Sequence, residues 1–169
     1  MWYAVWVQTG REDRMLELCK TLFQDSNVCE EYFLPKYERA KKVRGQWTTT
    51  QALLFPGYLF LVSNQPEELQ IKLKALPEFA KVLGDDDGAI PLYDEEVEFL
   101  ENCMNKEKVV EMSIGYIEGD HLVITDGPMK DYQGKVKKID RHKRIAVLEV
   151  EFFGGVTEVK VGLEVVRKI

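Results

Sequence analysis

The sequence predicts an α+β domain with a mostly antiparallel sheet, joined to a small C-terminal β-barrel. Two observations carry that fold class. Through about residue 105, strand signals alternate with helical ones, whereas from Ile114 onward only short strand signals appear, separated by closely spaced turns. The charge balance changes with the pattern: residues 1–118 carry 13 basic and 21 acidic side chains, and residues 119–169 carry 10 and 8. The boundaries read as a first domain over 1–105, a linker over 106–113 that starts in polar Asn105-Lys106-Glu107-Lys108, and a barrel over 114–169.

The elements follow in order. Aromatic and β-branched Trp2–Val7 reads as a strand with at least one buried face. Thr9-Gly10-Arg11-Glu12 has capping-box spacing, and the helix it opens aligns Met15, Leu18, Cys19 and Leu22. Cys29–Leu34 is a strand stopped by Pro35, and Lys36–Arg44 pairs across Gly45 with Trp47 and Thr48-Thr49-Thr50 as a hairpin. Tyr58–Val62 is a central strand. Pro66 suits the first position of a helix that buries Leu69, Leu73 and Leu76. Phe79–Leu83 is a short strand, Gly84–Gly88 an exposed turn, and a last helix from Asp94 buries Val97, Leu100 and Met104. In the barrel, strands at His121–Ile124, Lys135–Ile139, Ile145–Val150 and Thr157–Val161 lie between turns at Asp126-Gly127-Pro128, Gln133-Gly134, Asp140–Lys143 and Gly154-Gly155. The period-2 alternation of Val159 and Val161 with Glu158 and Lys160 argues for strand rather than helix.

At 169 residues with 45% hydrophobic side chains, the chain suits two modest soluble domains. No apolar run is long enough to span a bilayer, and Trp2–Thr9 lacks the basic lead of a signal peptide, so a cytoplasmic location with no membrane partner is expected. Cys19, Cys29 and Cys103 are scattered and odd in number, which suits buried thiols rather than disulfides or a metal site. His121 and His142 have no nucleophile at relay spacing. Asp85-Asp86-Asp87 lacks the alternating ligands and closing glutamate of a calcium loop, and Gly127-Pro128 leads into no phosphate-binding helix. No catalytic residue, metal or cofactor is expected.

The whole chain resembles the NusG family of transcription elongation factors, which join an NGN domain through a flexible linker to a KOW barrel. The residues that carry the resemblance are Trp2-Tyr3, Gly10, Phe55-Pro56-Gly57-Tyr58, then Glu118-Gly119-Asp120, Val123, Asp126-Gly127-Pro128, Gly134, Val136 and Phe153-Gly154. The resemblance implies a monomer whose NGN domain binds the β′ clamp helices of RNA polymerase through Phe55, Pro56, Gly57 and Tyr58. The competing reading makes these aromatics plain core. In ordinary members a Phe-Gly-Arg turn of the barrel binds Rho or a ribosomal protein. Here the aromatic is Phe153 but the arginine position is Gly155, which puts that contact in doubt. Segments Val43–Leu54, Asp85–Asp87 and Val109–Tyr116 are similar to the specialised LoaP branch, antiterminators recruited by an RNA hairpin in the leader transcript.

Lys130, Lys135, Lys137, Lys138, Arg141, His142, Lys143 and Arg144 form the candidate RNA-binding cluster, with Tyr132 and Phe153 as stacking faces. Asp131 and Asp140 dilute it, and a solvated basic surface is the alternative. Lys36, Arg39, Lys41, Lys42 and Arg44 form a second basic run that could reach non-template DNA, and the resemblance to one specialised branch adds Arg14.

Overall fold

The computed structural model describes residues 1–167. In chain order its first half contains β1 (Trp2–Val7), α1 (Glu12–Leu22), β2 (Glu31–Phe33), β3 (Lys36–Val43), β4 (Gln46–Leu53), β5 (Tyr58–Val62) and α2 (Pro66–Leu73). Then come β6 (Ala80–Val82), β7 (Gly84–Asp85), β8 (Gly88–Ala89), α3 (Asp94–Cys103) and β9 (Val109–Val110). The last part holds β10 (Ser113–Glu118), β11 (His121–Asp126), a 3₁₀ segment (Pro128–Lys135), β12 (Val136–Asp140), β13 (Ile145–Phe152) and β14 (Gly155–Val165). Two compact units result: Met1–Pro35 with Phe55–Val97, and Lys36–Leu54 with Glu98 onward.

The first unit is built on an antiparallel sheet in the order β2-β5-β1-β6. Alternation along β1 and β5 puts Tyr3, Val5, Val7, Leu59 and Leu61 on one fully buried face, and α1 and α2 add Met15, Cys19, Leu69 and Leu73 to the core. Each such side chain contributes about 1.5–3 kcal/mol by leaving water. Pro66 opens α2 as expected. The capping box at α1 does not form: the N-cap is Arg11 with no side-chain cap, and Glu12 instead accepts the Gly10 amide at 2.7 Å. Gly84–Gly88, read as a bare turn, is pinned by the two-residue strands β7 and β8.

In the second unit β3 and β4 form a long hairpin turned by Arg44 and Gly45, with φ of 51° and 80°. Two left-handed central residues are the mark of a type I′ turn, whose twist matches the strands it joins. The barrel sheet runs β11-β10-β14-β13-β12, antiparallel except for the β10–β14 pair. Where the sequence suggested plain turns, the 3₁₀ segment plugs the barrel with buried Met129, held by Met129 N–H donating to Ser113 Oγ at 3.1 Å. Lys135 therefore ends that segment instead of lying on a strand.

The stretch 106–113, read as a linker, is folded. Val109 and Val110 are buried and pair in parallel with Lys36 and Tyr37. The Asn105 side chain turns the chain into them by accepting the Glu107 and Val109 amides at 2.9 and 3.1 Å. The polar composition that suggested a linker belongs to this turn.

Candidate protein- and nucleic-acid-binding surfaces

Phe55-Pro56-Gly57-Tyr58 is a type II turn closed by the Tyr58 amide on the Phe55 carbonyl at 3.2 Å, with Gly57 at φ 88°. Proline fixes the first central residue, and the second needs the left-handed region that glycine adopts without strain. Three bonds hold the turn to its surroundings. Gly57 O accepts the Val7 amide at 2.9 Å, Gly57 N–H donates to Glu12 Oε2 at 2.8 Å, and the other oxygen of that carboxylate holds Gly10. Buried Glu12 thus ties the start of α1 to the turn. Sequence reasoning gave Glu12 only a capping role, because its second partner lies 45 positions away.

The turn does not present its residues equally. Phe55 is buried with its ring 5.5 Å from Phe60, Gly57 is buried, Pro56 is exposed and Tyr58 is half-buried. Tyr58 stands opposite Trp6 in the β1–β5 register. Trp6 is 50% exposed and meets Phe79, itself 56% exposed, edge-on at 5.9 Å. Further along the same sheet face, Trp2 packs edge-on against Phe33 at 5.3 Å and Phe33 stacks on Phe60 at 5.9 Å. Around the turn the accessible aromatic surface therefore includes Trp6, Phe79 and the exposed part of Tyr58. Trp6 and Phe79 were missed as site residues. The signal for Trp6 was present, since in a strand Trp2, Ala4 and Trp6 share a face opposite Tyr3, Val5 and Val7.

The basic residues separate into tied and open groups. Arg14 bonds Glu78 through Nε, and Arg11 adds a second contact to the same carboxylate at 3.7 Å, so Arg14 is held by a carboxylate instead of projecting freely toward DNA. Lys137 donates to both Glu149 and Glu158 at 3.0 Å, and these carboxylates raise its pKa by stabilising the ammonium. The strand face around it also bears Glu151, which makes it unsuited to phosphate. Tyr132 is occupied too: its hydroxyl accepts from Asn102 at 3.1 Å and its ring meets Phe99 edge-on at 5.1 Å. Phe153 sits at φ 57° beside the Phe152 ring at 5.6 Å, and the following Gly154 and Gly155 are exposed.

The open cations are Lys130 and Lys135 on the 3₁₀ segment, Lys138 on β12, and Arg141 and Lys143 with His142 in the β12–β13 turn. The turn is shaped by Asp140, whose carboxylate accepts the Lys143 amide at 2.9 Å; that bond, more than the nearby charges, lowers its pKa. Arg144 leaves the turn at φ 56° and lays its guanidinium carbon 3.9 Å from the centre of the Trp47 ring, with Glu164 at 3.8 Å. In the hairpin, residues 41–51 are all exposed. Arg39 and Lys41 share one face with Thr48 and Thr50, while Lys36 and Lys42 lie on the face of Trp47; Arg44 is at the tip.

Comparisons with known proteins agree with this architecture. Residues 1–101 match the family model described as transcription termination factor nusG, and residues 118–151 match the KOW motif. Transcription termination/antitermination proteins NusG are similar over the whole chain. That of Campylobacter jejuni is 23% identical over 99% of this chain and 97% of its own length. That of Helicobacter pylori is 25% identical over 99% and 98%, and that of Staphylococcus aureus 26% over 99% and 95%. A solved structure titled "Domain interaction in Thermotoga maritima NusG" has the same fold, with a TM-score of 0.61, 19% identity, and coverage of 95% of this chain and 92% of its own. With the family model covering residues 1–101, more than half of the chain, and the barrel carrying the KOW motif, the chain belongs to the NusG family of transcription termination/antitermination factors.

Proposed function

We propose that this protein is a specialised member that makes RNA polymerase read through terminators after recruitment by leader RNA. Its first domain, 1–105, would grip the polymerase clamp helices, and its barrel, 114–169, would hold an RNA hairpin. The observation that carries the reading is the pairing of two features on the barrel. Arg141, His142 and Lys143 crowd one exposed turn near Lys138, while the Phe153-Gly154-Gly155 turn offers no guanidinium. Phosphate needs several cations on one surface. A protein partner recognised through a planar fork of donors finds none at Gly155.

Polymerase contact fits Trp6, Phe79 and Tyr58, with Pro56 at the rim, because exposed aromatics over a rigid sheet dominate interface energetics. Phe55 is buried against Phe60 and is left out of that contact. Non-template DNA is assigned to Arg39 and Lys41, whose hairpin face also carries Thr48 and Thr50. A second reading is a general NusG that couples polymerase to Rho or a ribosomal protein. Similarity along the whole chain to NusG proteins of several bacteria favours it.

Transcription in vitro across an intrinsic terminator, with and without the leader of the adjacent operon, separates the two. Leader-dependent read-through is expected. Read-through or pausing indifferent to the leader would overturn the RNA assignment and favour the general factor. Trp6→Ala with Tyr58→Ala should abolish either effect, since an interface hot spot is worth about 2 kcal/mol or more.

A further inference from the structure

We infer that the RNA-binding surface is composite, formed by the tip of the β3–β4 hairpin together with the β12–β13 turn, with Trp47 as the platform for an unpaired base. The inference rests on the RNA reading above and specifies which part of the chain completes that site. Sequence separates the two basic runs by about a hundred residues, yet they meet at Trp47. Arg144 stacks on this ring at 3.9 Å, and Lys42 is its direct cross-strand partner. Arg141 and Lys143 project from the turn that delivers Arg144, and Arg44 from the turn that delivers Trp47.

The hairpin is seated rather than loosely tethered. Its Glu38 carbonyl passes so close to Gly162 on β14 that a Cβ there would overlap it, and the Glu38 carboxylate accepts the Met112 amide at 3.1 Å. With the base of the hairpin seated, the Trp47–Arg144 stack is already formed before any ligand arrives, which lowers the ordering cost of binding.

Charge selects the occupant. On the outward face of β13 and β14, Glu149 and Glu158 hold Lys137, and Glu151 adds a third acid where Lys160 is the second cation, so carboxylates outnumber cations and repel phosphate. Around Trp47, the five cations Lys42, Arg44, Arg141, Lys143 and Arg144 gather, with Asp140 and Glu164 as acids beside them and Glu38 further down the hairpin face, its carboxylate turned to the Met112 amide. A guanidinium stacked on indole keeps donor edges for phosphate, and Trp47 remains 41% exposed. Cations flanking an accessible aromatic suit an RNA stem–loop, whose backbone is held by charge and whose unstacked loop base needs a π surface.

The test is fluorescence anisotropy of the full chain with a labelled RNA stem–loop from the leader of the adjacent operon, over a range of salt. Lys42→Gln with Arg44→Gln should weaken binding about tenfold and flatten the log–log salt slope by about 1.5, the effect of two lost phosphate contacts. Trp47→Ala should cost about tenfold or more with the slope unchanged, whereas Trp47→Phe should hold affinity. Arg141→Gln with Lys143→Gln should weaken binding about as far as the hairpin pair.

If the barrel pair loses binding and the hairpin variants do not, the composite surface is refuted while the RNA reading stands. Loss confined to the hairpin variants also refutes it, since the barrel then contributes nothing. If Trp47→Phe falls as far as Trp47→Ala, the stacking platform is wrong. Equal binding of the DNA stem–loop of the same sequence refutes RNA as the occupant. A wild-type chain that ignores the RNA removes both readings together.

Discussion

Replacing Glu12 by alanine tests whether its carboxylate holds the Pro56-Gly57 turn in place. Glu12 is 3% exposed, and its two oxygens accept backbone amides at 2.7 and 2.8 Å, one from Gly10 and one from Gly57. Hydrogen bonds to charged groups contribute roughly 1.5–3 kcal/mol each, and a buried donor left unpaired costs about 1–3 kcal/mol. Desolvating the carboxylate offsets part of this, so a net loss of about 2–4 kcal/mol is expected. For a chain of this size that lowers Tm by roughly 5–15 °C. Glu12→Gln should lose less: its amide oxygen serves one N–H, while its NH₂ turns donor to donor against the other. The assays are calorimetry of both variants and their affinity for RNA polymerase at a temperature where each is folded. Polymerase binding should weaken in the folded alanine variant, because Tyr58 follows directly from the turn that Glu12 anchors. A melting temperature within about 1 °C of wild type would refute the bridging role, since the smallest of these terms exceeds that shift.

The other predictions are independent of this one. Gly162→Val should unseat the hairpin, because its side chain overlaps the Glu38 carbonyl and Met112 Sδ; a loss of about 1–3 kcal/mol and faster amide exchange along β3 are expected. Lys137→Gln should leave RNA affinity and its salt slope as in wild type, against a fall of about 0.7–0.9 in slope for a cation that contacts phosphate. Burial raises the thiol pKa from 9.0 to about 12 at Cys19, about 11 at Cys29 and about 12 at Cys103. The unfolded chain releases these protons first, so the stability they carry is complete below pH 9.0 and is lost as pH climbs toward 11–12. Denaturant titrations from pH 8 upward check the sign, and iodoacetamide should label the native thiols slowly.

The fold was legible because its elements announce themselves locally. The alternation in Trp2–Val7, proline at the start of α2 and the turn residues between barrel strands each need only their neighbours to be read. The misreadings arose where a distant partner changed the role of a residue. Glu12 spacing satisfied a capping box, but Gly57 competes for the same carboxylate across the unit. The polar stretch after Met104 looked like a linker because the edge of β3 that receives Val109 and Val110 is invisible from that stretch.

The candidate site was only partly legible for the same reason, and the illegible part is electrostatic. From composition, every cation between Lys130 and Arg144 counts equally toward a basic surface. The fold removes Lys137 by giving it two glutamates from neighbouring strands, and it turns Arg144 onto an indole from another hairpin. It also takes Tyr132 from the pool of stacking residues by packing Phe99 against it, while exposing Trp47, which sequence reasoning left among the hairpin's residues. A cation is worth something to phosphate only after its internal acids are subtracted, and an aromatic is worth something to a base only where its ring is accessible. Both quantities depend on strand register: Glu149 reaches Lys137 because it stands beside Glu158 across β13 and β14. Shifting that register by one residue would turn the glutamates inward and leave Lys137 unpaired on the surface, so the charge pattern of this barrel is a property of its pairing.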